Sequence, residues 1–188
     1  MGVIMTPMSS IAERSAGVVV REAVPGDAEA IGRVRHASWQ VAYSGLMPAD
    51  YLAGLDVDGF VLGARRMLDH AGADGVTVYV AELGGDVCGF ASVGPTRDDD
   101  EDRAAVGELY AIYLDPVVWR NGVGQHLQVV ALDRLRAEGY LEATLWVLAT
   151  NNSSRAFYER TGWHADGSTS GYTAGAAVLD EIRYRRAL

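Results

Sequence analysis

The sequence holds one cysteine, Cys88, in 188 residues. A lone thiol excludes an internal disulfide framework and a cysteine-rich zinc site. Positive charge is also scarce: 16 Lys+Arg against 25 Asp+Glu give a formal net charge of −9. A nucleic-acid binder with a broad basic face is disfavoured, since that mode works by neutralising phosphates with Lys and Arg. No apolar run reaches the roughly 20 residues that cross a bilayer. No internal repeat or interdomain linker breaks the chain, and His36, His70, His126 and His164 show no metal-ligand spacing. Neither metal, nucleic acid nor membrane is expected as a partner. What remains is a reduced, soluble, cytoplasmic protein. Its length suits one domain, since domains run roughly 100–200 residues, and allows a real hydrophobic core.

Met1–Gly17 has no positive n-region followed by an apolar core, so it is not read as a secretory signal. Met1-Gly2-Val3-Ile4-Met5-Thr6 fits the loose myristoylation pattern. The plainer reading is a flexible leader with a later start at Met5 or Met8, and residues 18–188 as the domain. Val18–Val24 is β-branched and reads as a strand, broken by Pro25-Gly26-Asp27, with Asp27 a candidate N-cap. Ile31, Val34, Ser38 and Val41 recur at helical steps. Further helical patterns follow Pro48 and run through Phe60, Val61, Ala64 and Leu68. Val76–Leu83 and Val87–Val93 are strands about a Gly84-Gly85-Asp86 turn. Val106–Leu114 is a strand stopped by Asp115-Pro116, Gly122–Ala137 a helix closed by Gly139, and Tyr140–Leu148 a strand. Ser153–Arg160 is a short helix, and Val178, Ile182 and Tyr184 mark a last strand that Asp180 interrupts. This order predicts an α/β (α+β) fold, a mixed sheet with helices on both faces.

The chemistry concentrates where the strand ending at Leu114 runs through Asp115-Pro116-Val117-Val118-Trp119-Arg120-Asn121 into Gly122-Val123-Gly124-Gln125. A first helical turn leaves backbone N–H groups without intrahelical partners, and the helix dipole adds positive potential there. Glycine lets a phosphate come close to that backbone. The competing reading is a glycine-eased helix start that binds nothing. A dinucleotide fingerprint is rejected, because Leu127 occupies the position of its third glycine.

A second segment, Asn151-Asn152-Ser153-Ser154-Arg155-Ala156-Phe157-Tyr158-Glu159-Arg160-Thr161-Gly162-Trp163, follows the strand ending at Leu148. Together the two segments resemble the GCN5-related N-acetyltransferase (GNAT) family. The first is similar to its [QR]-x-x-G-x-[GA] pyrophosphate loop, the second to its Asn-x-x-Ala/Ser-Arg-x-Phe-Tyr-x-x-x-Gly-Phe run. Trp119 departs from the Gln/Arg position, with Arg120 next to it, which leaves open whose side chain meets the cofactor.

The resemblance implies the GNAT fold, with two parallel strands splayed around acetyl-CoA and no metal. Val106–Leu114 and Tyr140–Leu148 would be those strands. Ile112 and Leu114, with Tyr113 between them, would line the pantetheine arm, and the Ile112 N–H would polarise the thioester carbonyl. Arg120, Asn121, Gly122, Val123, Gly124 and Gln125 would hold the pyrophosphate, and Asn151 and Ser154 the pantetheine. Tyr158 would be the general acid and also touch the cofactor; its plainer role is aromatic packing. Glu108 would be the base, or else an ion-pair partner across strands. Trp39 and Tyr43, one helical turn apart, would line the acceptor pocket or fill the core. The Asp98–Asp102 run would draw a cationic amine or simply be a solvated loop.

The expected activity is acetyl transfer from acetyl-CoA to a primary amine by direct attack in a ternary complex. The acceptor would be a small molecule or a peptide, and a homodimer is possible on this reading. A non-catalytic acyl-CoA-binding module and a protein N-terminal or lysine acetyltransferase are the alternatives.

Overall fold

Seven strands form one sheet in the computed structural model, which describes residues 17–188. The leader reading therefore lies outside the described residues, apart from Gly17. The strands are β1 (Val18–Glu22), β2 (Thr77–Leu83), β3 (Asp86–Pro95), β4 (Val106–Leu114), β5 (Glu142–Leu148), β6 (His164–Ala174) and β7 (Ala177–Ala187). Their order across the sheet is β1-β2-β3-β4-β5-β7-β6. Every neighbouring pair is antiparallel except β4 and β5, which run parallel. A parallel pair needs a crossover, and the helix α4 (Val123–Ala137) supplies it. The other helices are α1 (Ala28–Ala42), α2 (Ala49–Ala53), α3 (Val57–Asp69) and α5 (Asn152–Arg160). None among the described residues is long and apolar enough to cross a membrane.

The helices divide between the two faces. Leu127, Leu132 and Leu135 of α4 pack with Leu109, Leu145 and Tyr184 of the sheet. Each such side chain, fully buried, contributes about 1.5–3 kcal/mol relative to exposure. On the other face Ile31 and Val34 of α1, with Ala64 and Leu68 of α3, cover Val80 and Phe90. The α1–α3 crossing is tight: a Cβ at Gly32 would lie 2.7 Å from Val61 Cα. A third cluster, Trp39, Met47, Leu52, Leu148 and Ala174, extends this second face beneath α1 and α2.

Three expectations need correction. Val41 is 52% exposed, so the buried stripe of α1 stops at Trp39. Asp27 stands at the N-cap of α1 as expected, but its side chain makes no cap bond to that helix; it accepts from Val24 N and from Arg21, which caps the preceding 3-10 turn and fastens it to β1. The strand β6 was not expected at all. It is an outer strand rich in Gly, Ser and Thr, mostly exposed, and its pairing with β7 is shifted between Ala165 and Thr169. A strand with little buried surface carries no apolar alternation to read.

Candidate active site

The parallel pairing of β4 with β5 covers only Val106↔Glu142, Gly107↔Ala143 and Glu108↔Thr144. Beyond Glu108 the strands part, and β5 continues to Leu148 paired only with β7. A bulge marks the parting point. Leu109 pairs with Val93 and Ala111 with Ser92, which leaves Tyr110 as the extra residue. Bulges bend and twist the strand that carries them. The Tyr110 hydroxyl fixes the bend by donating to Pro95 O at 2.5 Å.

The gap is edged by free main chain. Asp115 N donates to Cys88 O at 2.8 Å, so Asp115 faces β3. The alternation of an antiparallel ladder then turns Tyr113 toward β3, and Ile112 and Leu114 toward the gap. The Leu114 carbonyl is met there by Trp119, whose Nε1 donates to it at 3.0 Å. Trp119 thus folds back on its own strand, while Arg120 stays exposed.

At the end of β4 the chain makes a concave turn. Arg120 (φ 64) and Gly122 (φ 82) both have left-handed backbone. For arginine that conformation costs roughly 1–3 kcal/mol, which marks the turn as imposed by its surroundings. No side chain caps α4. Among the described residues, the N–H groups of Arg120 through Gln125 meet no acceptor; the first bond of the helix is His126 N to Gly122 O at 3.0 Å. Successive N–H groups in such a turn form an anion-binding hollow, and the helix dipole reinforces it. A Cβ at Gly124 would lie 3.0 Å from Leu114 Cδ1 and 3.7 Å from Phe157 Cζ. The free N–H groups of the turn fit a pyrophosphate, and glycine lets the helix start pack close against Leu114 and Phe157.

The segment after β5 closes the far side of the gap. Asn151 is buried and accepts from Ser154 N at 3.1 Å, so both residues form the cap of α5. Arg155 donates to Ala149 O at 2.9 Å and to the Tyr184 hydroxyl at 3.2 Å. Tyr158 is half-buried between Phe157, Trp163 and Tyr184, with ring centroids 5.4–6.3 Å away. Burial, and secondarily the Tyr113 phenol, push its pKa well above the usual value, so its hydroxyl stays protonated at neutral pH.

On the face beneath α1, Glu108 is buried and both its oxygens accept from Arg97: Oε2 from the backbone N (2.9 Å) and Nε (3.2 Å), Oε1 from a terminal nitrogen (2.5 Å). The Arg97 guanidinium stacks 4.3 Å from the Tyr110 ring. Three donors, all from Arg97, hold the Glu108 carboxylate in place. Trp39 is 5% exposed, and packs against Tyr43, Phe60, Tyr113 and Tyr172. The Tyr43 and Tyr113 hydroxyls meet at 3.3 Å. Burial above all raises the pKa of Tyr43.

The acidic run is solvated only in part: Asp99, Asp100 and Asp102 are exposed, while Asp98 and Glu101 are half-buried in ion pairs that Asp100 joins. Arg183 of β7 holds Asp98 (3.1 Å), Asp100 (2.8 Å), Glu101 (3.0 Å) and Asp166 (2.7 Å), while Arg185 holds Glu101 and Glu142. Asp98 also accepts from Trp146 Nε1 at 2.9 Å.

Two residues of this face escaped the sequence reading. Arg35 lies among the aromatic rings of α1, α3 and β4. Glu181, opposite Leu148 on β7, is half-buried and has no hydrogen bond or ion pair among the described residues. Burial raises its pKa, against the opposing charge of Arg97. For Arg35 the helical spacing from Trp39 was an available signal; for Glu181 only the strand pairing reveals it.

Comparison with known proteins follows this geometry. The family model described as "Acetyltransferase (GNAT) family" matches residues 42–163. The uncharacterized N-acetyltransferase YuaI of Bacillus subtilis is 36% identical over 142 residues, covering 76% of this chain and 78% of that protein. A mycothiol acetyltransferase of Streptomyces coelicolor is 31% identical over 147 residues; the match takes in 78% of this chain but only 43% of that longer protein. The crystal structure of PaiA N-acetyltransferase from Thermoplasma acidophilum in complex with coenzyme A superposes with a TM-score of 0.74. That likeness covers 91% of this chain and 99% of the other at 18% identity, and so speaks to the fold.

Proposed function

This chain belongs to the GNAT acetyltransferase family and is an acetyl-CoA-dependent N-acetyltransferase, and from that premise we propose that it acetylates a primary amine by direct attack within a ternary complex. The observation that carries this reading is the pairing of a split sheet with an uncapped turn. The strands part after Glu108, and the N–H groups of Arg120–Gln125 stand free of acceptors at the end of the gap. The diphosphate of acetyl-CoA fits that turn, and its pantetheine arm fits the edge of Ile112 and the Leu114 N–H as an added strand, the Leu114 carbonyl being held by Trp119 Nε1. Tyr113 would contribute its ring, since its main chain belongs to the β3 ladder. Asn151 and Ser154 would border the arm from α5.

Chemically, the acceptor arrives as an ammonium of pKa near about 10 and must first lose a proton. Its lone pair then forms the C–N bond to the acetyl carbon as the C–S bond breaks; the nitrogen sheds its second proton, the leaving sulfur takes one up, and ammonium plus acetyl-CoA thus give the amide, the CoA thiol and one proton to solvent. The Ile112 N–H would stabilise the charge that builds on the carbonyl oxygen. Tyr158 would act as hydrogen-bond donor and acid to the sulfur. Its raised pKa keeps that proton available; against a thiol near about 8.5 the full transfer is uphill, so the gain lies in the hydrogen bond to developing thiolate. Glu108 is one candidate for the amine's proton, through water. The free, half-buried carboxyl of Glu181 favours a second reading, in which it takes the proton while Glu108 anchors Arg97.

The decisive experiment is a screen of amines against acetyl-CoA with detection of free thiol. Amine-dependent release of CoA is the expected result. Binding of acetyl-CoA without release for any amine or peptide would turn the reading toward a non-catalytic binding module. Acetylation of peptides in preference to small amines would favour a protein acetyltransferase.

A further inference from the structure

We infer that Arg35 is the anion-recognition element of the acceptor pocket, so that the amine acetylated here carries a carboxylate. The inference rests on the N-acetyltransferase reading and names the substrate class of that same site.

Arg35 stands apart from the other arginines. Among the described residues, each remaining arginine that is not exposed makes a hydrogen bond: Arg21, Arg134, Arg155, Arg183, Arg185 and Arg186. Half-buried Arg35 has no carboxylate and no acceptor, and its Nε is fully covered without a partner. Its guanidinium carbon lies 5.5 Å from the Trp39 ring centre, 5.6 Å from Phe60 and 5.6 Å from Tyr113. Ring faces attract a cation, but they offer nothing to the five in-plane N–H donors of the fork. Nε is covered, so the terminal nitrogens, which keep contact with the surface and meet no acceptor from the chain, are the donors left for an outside acceptor.

Trp39, four residues on along the same face of α1, is 5% exposed with its Nε1 covered, so the Arg35 terminal nitrogens are the donors of this pair that an outside acceptor can reach. A planar carboxylate, which accepts on two oxygens, matches a guanidinium in bidentate fashion. The location fits the acceptor. Tyr113, under Arg35, sits on β4 between Ile112 and Leu114, and α1 covers the face opposite the α4 turn. Of the acids that would attract a polycation, Asp98, Asp100 and Glu101 are already held by Arg183 and Arg185.

The test compares free amino acids and dipeptides with their C-terminal amides, and with spermidine, as acceptors in the thiol-release assay. The wild type is expected to prefer the free carboxylate over its amide by about 10- to 100-fold in kcat/KM, the range of a hydrogen bond to a charged group. Arg35→Gln should bring that ratio to about 1 by raising KM for the carboxylate far more than KM for the amide; Arg35→Lys should restore part of it. Equal use of acid and amide by the wild type, a preference that survives Arg35→Gln, or turnover confined to spermidine overturns the inference. So does the absence of turnover of every carboxylate-bearing amine while calorimetry still records acetyl-CoA binding. Failure to bind acetyl-CoA at all would instead overturn the reading on which it rests. If Arg35→Gln does not fold, the wild-type ratio and Arg35→Lys decide.

Discussion

Two regions of this protein treat polar groups in opposite ways. Along β7, Arg183 and Arg185 are matched within the chain by Asp98, Asp100, Glu101, Glu142 and Asp166. Around the β4–β5 gap the N–H groups of Arg120–Gln125, Arg35 Nε and Trp39 Nε1 find no acceptor. Buried polar groups in folded proteins are usually satisfied. The satisfied region therefore reads as architecture, which fastens the loop before β4 to the far strands. The unsatisfied one reads as a surface shaped for molecules that bring their own oxygens.

That contrast can be attacked from the larger effect to the smaller. Gly124→Glu puts bulk and negative charge into the hollow beside Leu114, and calorimetry should find acetyl-CoA affinity reduced beyond about 100-fold while the fold persists. Undiminished affinity would remove the turn from the site. Arg183→Gln leaves its surrounding carboxylates uncompensated. Because Asp100 can turn to water, the loss of stability should fall near the low end of the range for breaking a buried pair, about 3 kcal/mol, read by denaturant unfolding. Tyr158→Phe should lower kcat about 100-fold with acetyl-CoA affinity intact, as expected for a donor used mainly in the transition state; a drop in affinity alone would make Tyr158 a packing residue.

Smaller effects separate the two carboxylates. If Glu181 takes the amine's proton, Glu181→Gln should erase the acid limb of the pH–rate profile, and Glu108→Gln should leave that limb in place; the reverse pattern would assign the proton to Glu108. The same variant gives the smallest signal, in stability. The folded-state pKa of Glu181 is raised by burial. Its ionised form therefore burdens the fold at neutral pH, and the burden disappears as pH falls below the ordinary carboxylate range. Glu181→Gln should melt slightly above the wild type at pH 7 and level with it near pH 4.

Much of this was legible from local pattern. The Asp115-Pro116 stop and the alternation before it gave β4 its observed bounds, and Gly122 with the leucines of α4 gave the turn and the crossover helix. The acetyltransferase family was legible from two segments whose chemistry is local: one exposes backbone donors, the other caps and begins α5. Other features were not legible, because their causes are distant in sequence. Arg183 meets Asp100 across 83 positions and Asp98 across 85, so the acidic run looked like a solvated loop. For Glu108 an ion pair was one of two readings, but its partner was not legible, because Arg97 lies eleven positions away across that loop. The strand β6 has too little buried surface to leave a periodic trace.

The sequence by itself determined the elements other than β6, their order and the uncapped turn before α4, since helix starts, strand stops and glycine conformations are set by neighbours along the chain. Only the tertiary structure decided which charges are free. That depends on which side chains the sheet brings within hydrogen-bond reach, and it left Arg35 and Glu181 unmatched while it neutralised Glu108 and the acidic loop.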